Sequence, residues 1–403
     1  MDSFRPLVRF AGFEGEWEMV IADELFTTFN EKNFPNLPVL SATQDRGMVT
    51  RESFGYNIAH DKSNEATYKH VLPGQFVIHL RSFQGGFAHS AIEGIVSPAY
   101  TILEFRTKDE QSDLFWKYIF SSRVFINRLS LITYGIRDGR SINFNEFKEL
   151  SFILPSLPEQ QKISEYFTEI DRAISLQTQK LSKLQQIKAA SLQNMFPQEG
   201  QMLPKVRFAG FEGEWERVRL GEIAQFFKGK GYSKNDLTEK GSPIFLYGMM
   251  YTKYRFAVNE VDTYTDKDFS SLLSQGNEVI IPASGETAED IACASAFLIK
   301  DVILGGDLNV ICFDLSLYST PFIALSISNG SSRKYLSKCA QGKSVVHLRN
   351  SDIKTVVLSL PSLPEQQAIA NYFTKLDRKI ELETQKLEKL KQIKSACLSK
   401  MFV

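Results

Sequence analysis

Cysteine is scarce in this sequence: four residues, Cys293, Cys312, Cys339 and Cys397, all in the second half, with no CxxC pair and no closely spaced histidine. This argues against a disulfide framework or a zinc site and reads as reduced core or surface thiols. Long apolar runs are also missing. No stretch approaches the roughly 20 residues a membrane helix needs, and the start MDSFRPLVRF lacks the apolar segment of a signal peptide, so a cytoplasmic chain is expected. Net charge is absent as well, with 47 basic residues against 47 acidic. Any anion-binding surface must therefore be built locally rather than from bulk charge.

Signatures of catalysis are missing too. The Gly-rich stretches SFQGG (around Gly85), FKGKGYSK (Gly229), ASGET (Gly285) and LGGDLN (Gly305) match neither a P-loop nor a dinucleotide fingerprint between strand and helix, and read as turns. A methyltransferase acting on amino groups needs a glycine-rich cofactor loop and an Asn/Asp-Pro-Pro-aromatic loop; neither is found. No carboxylate cluster with a lysine suggests a nuclease, and His60, His70, His79, His89 and His347 have no recurring partner in the two halves. No catalytic residue and no metal ligand is assigned. A recognition or scaffold protein is expected.

What is present is a duplication. VRFAGFEGEWE runs from Val8 to Glu18 and again from Val206 to Glu216; LPSLPEQQ runs from Leu154 to Gln161 and again from Leu360 to Gln367. Of the 31 positions from Tyr166 to Phe196, 20 are identical in Tyr372 to Phe402. Between these landmarks, roughly residues 20 to 153 and 218 to 359, no comparable identity exists. A period near 200 residues is too long for a solenoid, so the unit is a domain plus a helix.

Within LPSLPEQQ the prolines end a strand and enter a first helical turn, with Ser156 and Glu159 at capping-box spacing. Apolar residues recur at Ile163, Phe167, Ile170, Ile174, Leu181 and Leu184, and at Ile369, Phe373, Leu376, Ile380, Leu387 and Leu390. Steps of four and three are a coiled-coil seam, interrupted at one heptad position by Gln177 and Glu383. Pro158 to Phe196 is 39 residues, roughly 58 Å of helix. Such a stripe needs a partner: an antiparallel pairing of the two copies is favoured over packing of each on its own domain.

In the first insert QFVIHL, TILEFR and LSFILP read as strands and Asp109 to Leu129 as helical; in the second the strands are PIFLYG, EVIIPA, NVICFD and TVVLSL. The fold class is α/β or α+β. Both inserts hold an acid-free basic segment: Leu114–Arg137 with Lys117, Arg123, Arg128 and Arg137, and, 206 positions on, Thr320–Lys343 with Arg333, Lys334, Lys338 and Lys343. Phosphate binding and a solvated helix face both explain this. The polar loops SATQDRGMVTR (from Ser41), YGIRDGR (from Tyr134) and AQGKSVVHLR (from Ala340) are of a type that reads base edges.

The order of these landmarks, with LGEIAQFFKGKGYSK from Leu220, resembles the specificity (S) subunit of type I DNA restriction–modification systems over nearly the whole chain. The resemblance implies two target recognition domains (1–153 and 206–359), a central long helix (154–196), a linker (197–205) and a C-terminal long helix (360–403). Each domain would read half of a split, asymmetric double-stranded DNA site. The paired helices would measure the spacer, roughly 17 base pairs at most at 3.4 Å each, and dock two methyltransferase (M) subunits. Separate restriction (R) subunits would cleave. S-adenosylmethionine, ATP and Mg would belong to those partners, with no cofactor on this chain. DNA contacts are assigned from polar loops and acid-free segments, not from a family motif: Arg46, Arg81, Tyr134, Arg137 and Arg140 in the first domain, and Lys228, Lys230, Lys234, Arg333, Lys334 and Lys343 in the second. A self-contained restriction–modification enzyme and a protein-binding coiled-coil adaptor are the competing classes.

Overall fold

The computed structural model describes residues 4–43, 46–54, 62–79, 86–132, 142, 144–198, 200–266, 271–342 and 345–403. The chain divides into two compact units, one of residues 1–178 with 385–403 and one of residues 179–384. Both mix helix and sheet. Each of the seven sequence-read strand segments contains a strand.

In the first unit an antiparallel four-stranded sheet runs in the order Phe26–Phe29, Thr101–Phe105, Phe76–Ile78, Phe87–His89. Glu18–Ile21 pairs separately with Ser151–Leu154, tying the opening motif to the strand that feeds the long helix. The helical stretch expected over Asp109 to Leu129 is broken into Asp113–Ser121 and Arg123–Ile132. Two serines decide this. Ser112 Oγ accepts from Phe115 N (3.3 Å) and Ser122 Oγ from Phe125 N (3.2 Å), so each starts a new helix. A serine that satisfies an N-terminal amide competes with helix continuation. The core is aromatic, with Phe26, Phe76, Trp116, Phe120 and Phe147 packed together; Phe402 closes it by stacking on Phe167 at 5.8 Å.

The second unit holds a five-stranded sheet in the order Ala224–Lys228, Leu308–Phe313, Glu278–Pro282, Ser295–Phe297, Ala257–Val258. A four-stranded sheet runs Tyr264–Thr265, Ser242–Phe245, Lys300–Leu304, Leu273–Gln275. Glu216–Arg219 pairs with Val357–Leu360. The second acid-free segment also forms two helices, Thr320–Ile327 and Gly330–Cys339. Phe196 packs between Phe322 (5.8 Å) and Phe373 (6.1 Å).

The long helices are Leu157–Asn194 and Leu363–Lys400, 38 residues each, about 57 Å at 1.5 Å per residue. Inside the first unit their segments run antiparallel: Tyr166 Oη lies 3.5 Å from Cys397 Sγ, and Lys394 Nζ 2.5 Å from Asp171. Inside the second unit the same is true of Ser191 and Tyr372 (2.9 Å), Lys188 and Asp377 (2.6 Å), and Lys180 and Glu383 (2.7 Å). The sequence identity thus has a structural counterpart: Tyr372 and Asp377 are Tyr166 and Asp171 moved on by 206 positions, and Ser191 and Lys188 are Cys397 and Lys394 moved back by 206.

Of the stripe residues, Ile163, Phe167, Ile170, Leu184, Ile369, Phe373, Leu376 and Leu387 are buried, and Ile174, Leu181, Ile380 and Leu390 half-buried. The N-terminal parts of both helices pack on globular cores: Ile163 and Phe167 on that of the first unit, Ile369 and Phe373 on that of the second. The seam carboxylate Glu383 is buried and meets Lys180 across the helix pair.

Candidate nucleic-acid interface

Two repeated clamps hold the frame on which any binding surface is mounted. Arg9 Nε and Nη2 donate to the two carboxylate oxygens of Glu159, both at 2.7 Å, and its Nη1 to Gly15 O at 2.6 Å. Arg207 repeats this with Glu365 (2.6 and 2.7 Å) and Gly213 O (2.7 Å). The two carboxylates are only 1% exposed. Each hydrogen-bonded carboxylate raises the pKa of its arginine above the ordinary value. Glu159, expected to complete a capping box, instead gives both oxygens to Arg9. The next residue is fixed as well: Gln160 Oε1 accepts from Ser112 N (3.1 Å) and Gln366 Oε1 from Ser319 N (3.0 Å). These glutamines orient the acid-free helix pairs on the long helices. Sequence reasoning assigned them no role, although their identity in both copies was the available signal.

In the second unit Lys228, Lys230 and Lys234 are exposed on one anchored loop. Lys228 ends a strand opposite Asn309; Gly229 N then bonds Leu308 O (2.9 Å), and Gly306 N bonds Gly231 O (2.9 Å). The backbones approach so closely that a Cβ on Gly229 would lie 1.9 Å from Gly305 O. Ser233 and Asp236 cap the turn that carries Lys234. Arg333 and Lys334 are exposed on the helix Gly330–Cys339, with Arg333 Nη2 also donating to Glu289 O (3.3 Å). Arg46 is exposed just before strand Gly47–Thr50. Arg81, Tyr134, Arg137, Arg140 and Lys343 lie outside the described residues.

The acid-free segment of the first unit divides its cations between two tasks. Arg128 is structural: its Nη2 donates to Ser151 O (2.6 Å), it covers the Phe152 ring, and burial lowers its pKa. Lys117 and Arg123 instead line an open groove with Arg46 and, from the end of the last helix, Lys391, Lys394 and Lys400. Among the described lining residues the one carboxylate is Asp171. Burial lowers the Lys117 pKa, with Asp171 opposing the shift.

Among the described residues no cluster of three or more His, Cys, Asp or Glu side chains is gathered for a metal, and no helix is long and apolar enough to cross a membrane. The cysteines are free thiols. Burial pushes Cys293 up to about 12 and Cys312 to about 11, which leaves both protonated, and so poor nucleophiles, at neutral pH.

The family model for the type I restriction modification DNA specificity domain matches residues 14–186 and again 212–392. The chain is similar to the type I restriction enzyme MjaVIII specificity subunit of Methanocaldococcus jannaschii, 21% identical over 265 residues that cover 63% of this chain and 61% of that protein. It is 23% identical over 268 residues to the putative type I restriction enzyme MjaX specificity subunit of the same organism, covering 64% of this chain and 60% of that one. The chain thus spans about three fifths of the length of these curated relatives. A crystal structure of a type I restriction–modification system S subunit from M. genitalium shares the fold, with a TM-score of 0.62 at 14% identity over 99% of both chains. With both repeats matched, the chain belongs to the type I restriction modification DNA specificity domain family.

Proposed function

We propose that this chain is the sequence-specific DNA-recognition subunit of a type I restriction–modification complex. The observation that carries this reading is the coincidence of the family match with both repeats, when what lies between their shared frames has diverged. Identical frames suit a partner that docks twice; divergent inserts suit two different half-sites. Residues 1–153 and 206–359 are the two target recognition domains, joined through the helices of 154–196 and 360–403 and the linker 197–205. The two helices form an antiparallel coiled coil that sets the spacer and seats two methyltransferase subunits. Lys180–Glu383, Lys188–Asp377 and Lys394–Asp171 support that register. The chain itself is non-catalytic and acts in the cytoplasm. S-adenosylmethionine serves the methyltransferase subunits, and ATP and Mg the restriction subunits.

The test is to map methylated adenines in a genome carrying this gene, then exchange residues 1–153 for the corresponding domain of another family member. One half of the bipartite motif changes and the other half and the spacer stay. A motif that changes in both halves, or in neither, would refute the division of labour. Methyl transfer from S-adenosylmethionine by the purified chain alone would refute the non-catalytic role.

A further inference from the structure

Among the described residues, the basic groove of the first unit has no counterpart of the same charge in the second, and that asymmetry bears on what it holds. Lys117, Arg123 and Arg46 reach it from the globular part, and Lys391, Lys394 and Lys400 from the last helix. Its one carboxylate is already shared, since Asp171 lies 2.5 Å from Lys394 Nζ and 4.0 Å from Lys117 Nζ. Lys391 meets only Glu388 on its own helix (2.9 Å), a residue outside the groove lining. Arg123 and Lys400 have no carboxylate partner among the described residues. Among the described lining residues Lys117, Arg123, Lys391, Lys394 and Lys400 stand against one acid, a local excess of positive charge in a chain whose total charge is zero.

Two of the three helix lysines have uncharged counterparts in the other repeat. Moved back by 206 positions, Lys391 becomes Gln185 and Lys400 becomes Asn194, while Lys394 remains lysine as Lys188. The helix that opens with Arg123 in the first unit has a counterpart opening with Gly330. The comparable cavity of the second unit sets Lys188 and Arg333 against Asp290 and is walled by Tyr251 and Tyr254. A partner that docks once per repeat has no use for charges present in one copy only. At about 1110 Å³ and open to solvent, the groove also exceeds the usual small-ligand pocket of about 300–1000 Å³.

We propose that this groove seats a DNA phosphate backbone through sequence-independent contacts, so that the first unit holds the duplex by an electrostatic grip that the comparable cavity of the second unit does not match. The inference rests on the reading that the chain recognises DNA. Lysines on a helix end supply mobile point charges suited to phosphates and carry no base information. Each phosphate neutralised displaces counterions and steepens the salt dependence of binding by about 0.9 in log K against log salt.

The test uses the assembled complex with its methyltransferase subunits and the double variant K391Q/K400N, which installs the residues that the other repeat carries at the equivalent positions of its own long helix. Binding to a target duplex and to a scrambled duplex is measured across a salt series. The expected result is a slope shallower by up to about 1.8 for two lost phosphate contacts, with affinity for both duplexes falling by the same factor. R123Q, on a separate element, reduces the slope by up to about 0.9. Unchanged slopes in both variants overturn the inference. So does weakened retention of the methyltransferase subunits at unchanged DNA slope, which would assign the groove to an acidic protein surface. A parent complex that binds neither duplex would instead refute the DNA-recognition reading beneath it.

Discussion

Replacing Arg207 with alanine strands the Glu365 carboxylate, 1% exposed, inside the second unit with both oxygens deprived of donors. Breaking a buried ion pair by removing one partner costs about 3–5 kcal/mol. The guanidinium is 18% exposed, so solvent can reach one edge of the vacated space; the low end, about 3 kcal/mol, applies. For a unit of this size about 1 kcal/mol moves Tm by roughly 2–4 °C, so R207A should melt about 6–12 °C lower by calorimetry of the full chain. E365Q removes the charge but keeps an acceptor, and the double variant R207A/E365Q should recover about 2 kcal/mol of the loss because no anion is left buried. Strictly additive effects, or a shift below about 2 °C for R207A, would refute the assignment of a structural clamp. The first unit is an internal replicate: R9A strands Glu159 in the same geometry and should lower its transition similarly.

Two further predictions follow from local geometry. G229A places a Cβ 1.9 Å from the fixed carbonyl of Gly305, whereas G248A meets nothing within 4 Å; G229A should lose about 1–3 kcal/mol and bind target DNA more weakly through the displaced Lys228 and Lys230, and equal melting of the two variants would contradict the close-packed loop. For Asp113, burial alone would raise the pKa, but the 2.7 Å hydrogen bond from His89 and its charge outweigh this and hold the carboxyl below its ordinary 3.8. A depressed carboxylate contributes stability that is complete above the unfolded value and is lost as pH falls through the folded one. Urea midpoints of the wild type should therefore fall more steeply than those of D113N below pH 3.8, and parallel profiles would sink the coupling.

The helices and strands were legible because their signals are local. Apolar steps of four and three, prolines after a strand and short β-branched runs each constrain a few neighbouring residues. The broken helix at Ser122 was not legible. The apolar spacing continues across it, and the decision lay with a hydroxyl that satisfies Phe125 N. The capping-box reading of Glu159 misled for a related reason: local spacing suggested a local bond, and an arginine 150 residues away supplied two stronger ones.

By itself the sequence determined that the chain is a duplication, where its shared frames lie, that a long helix follows each LPSLPEQQ, and that positive charge is concentrated beside the same landmark in both halves. Those properties follow from order along the chain. Tertiary structure alone decided what each charge does. It turned Arg128 inward onto Ser151 and Phe152, locked Arg9 and Arg207 onto buried carboxylates, and gathered Lys117 and Arg123 with Lys391, Lys394 and Lys400 into one groove. The two groups of cations are more than 260 positions apart in sequence. Charge acts through distance in space, and only folding sets that distance.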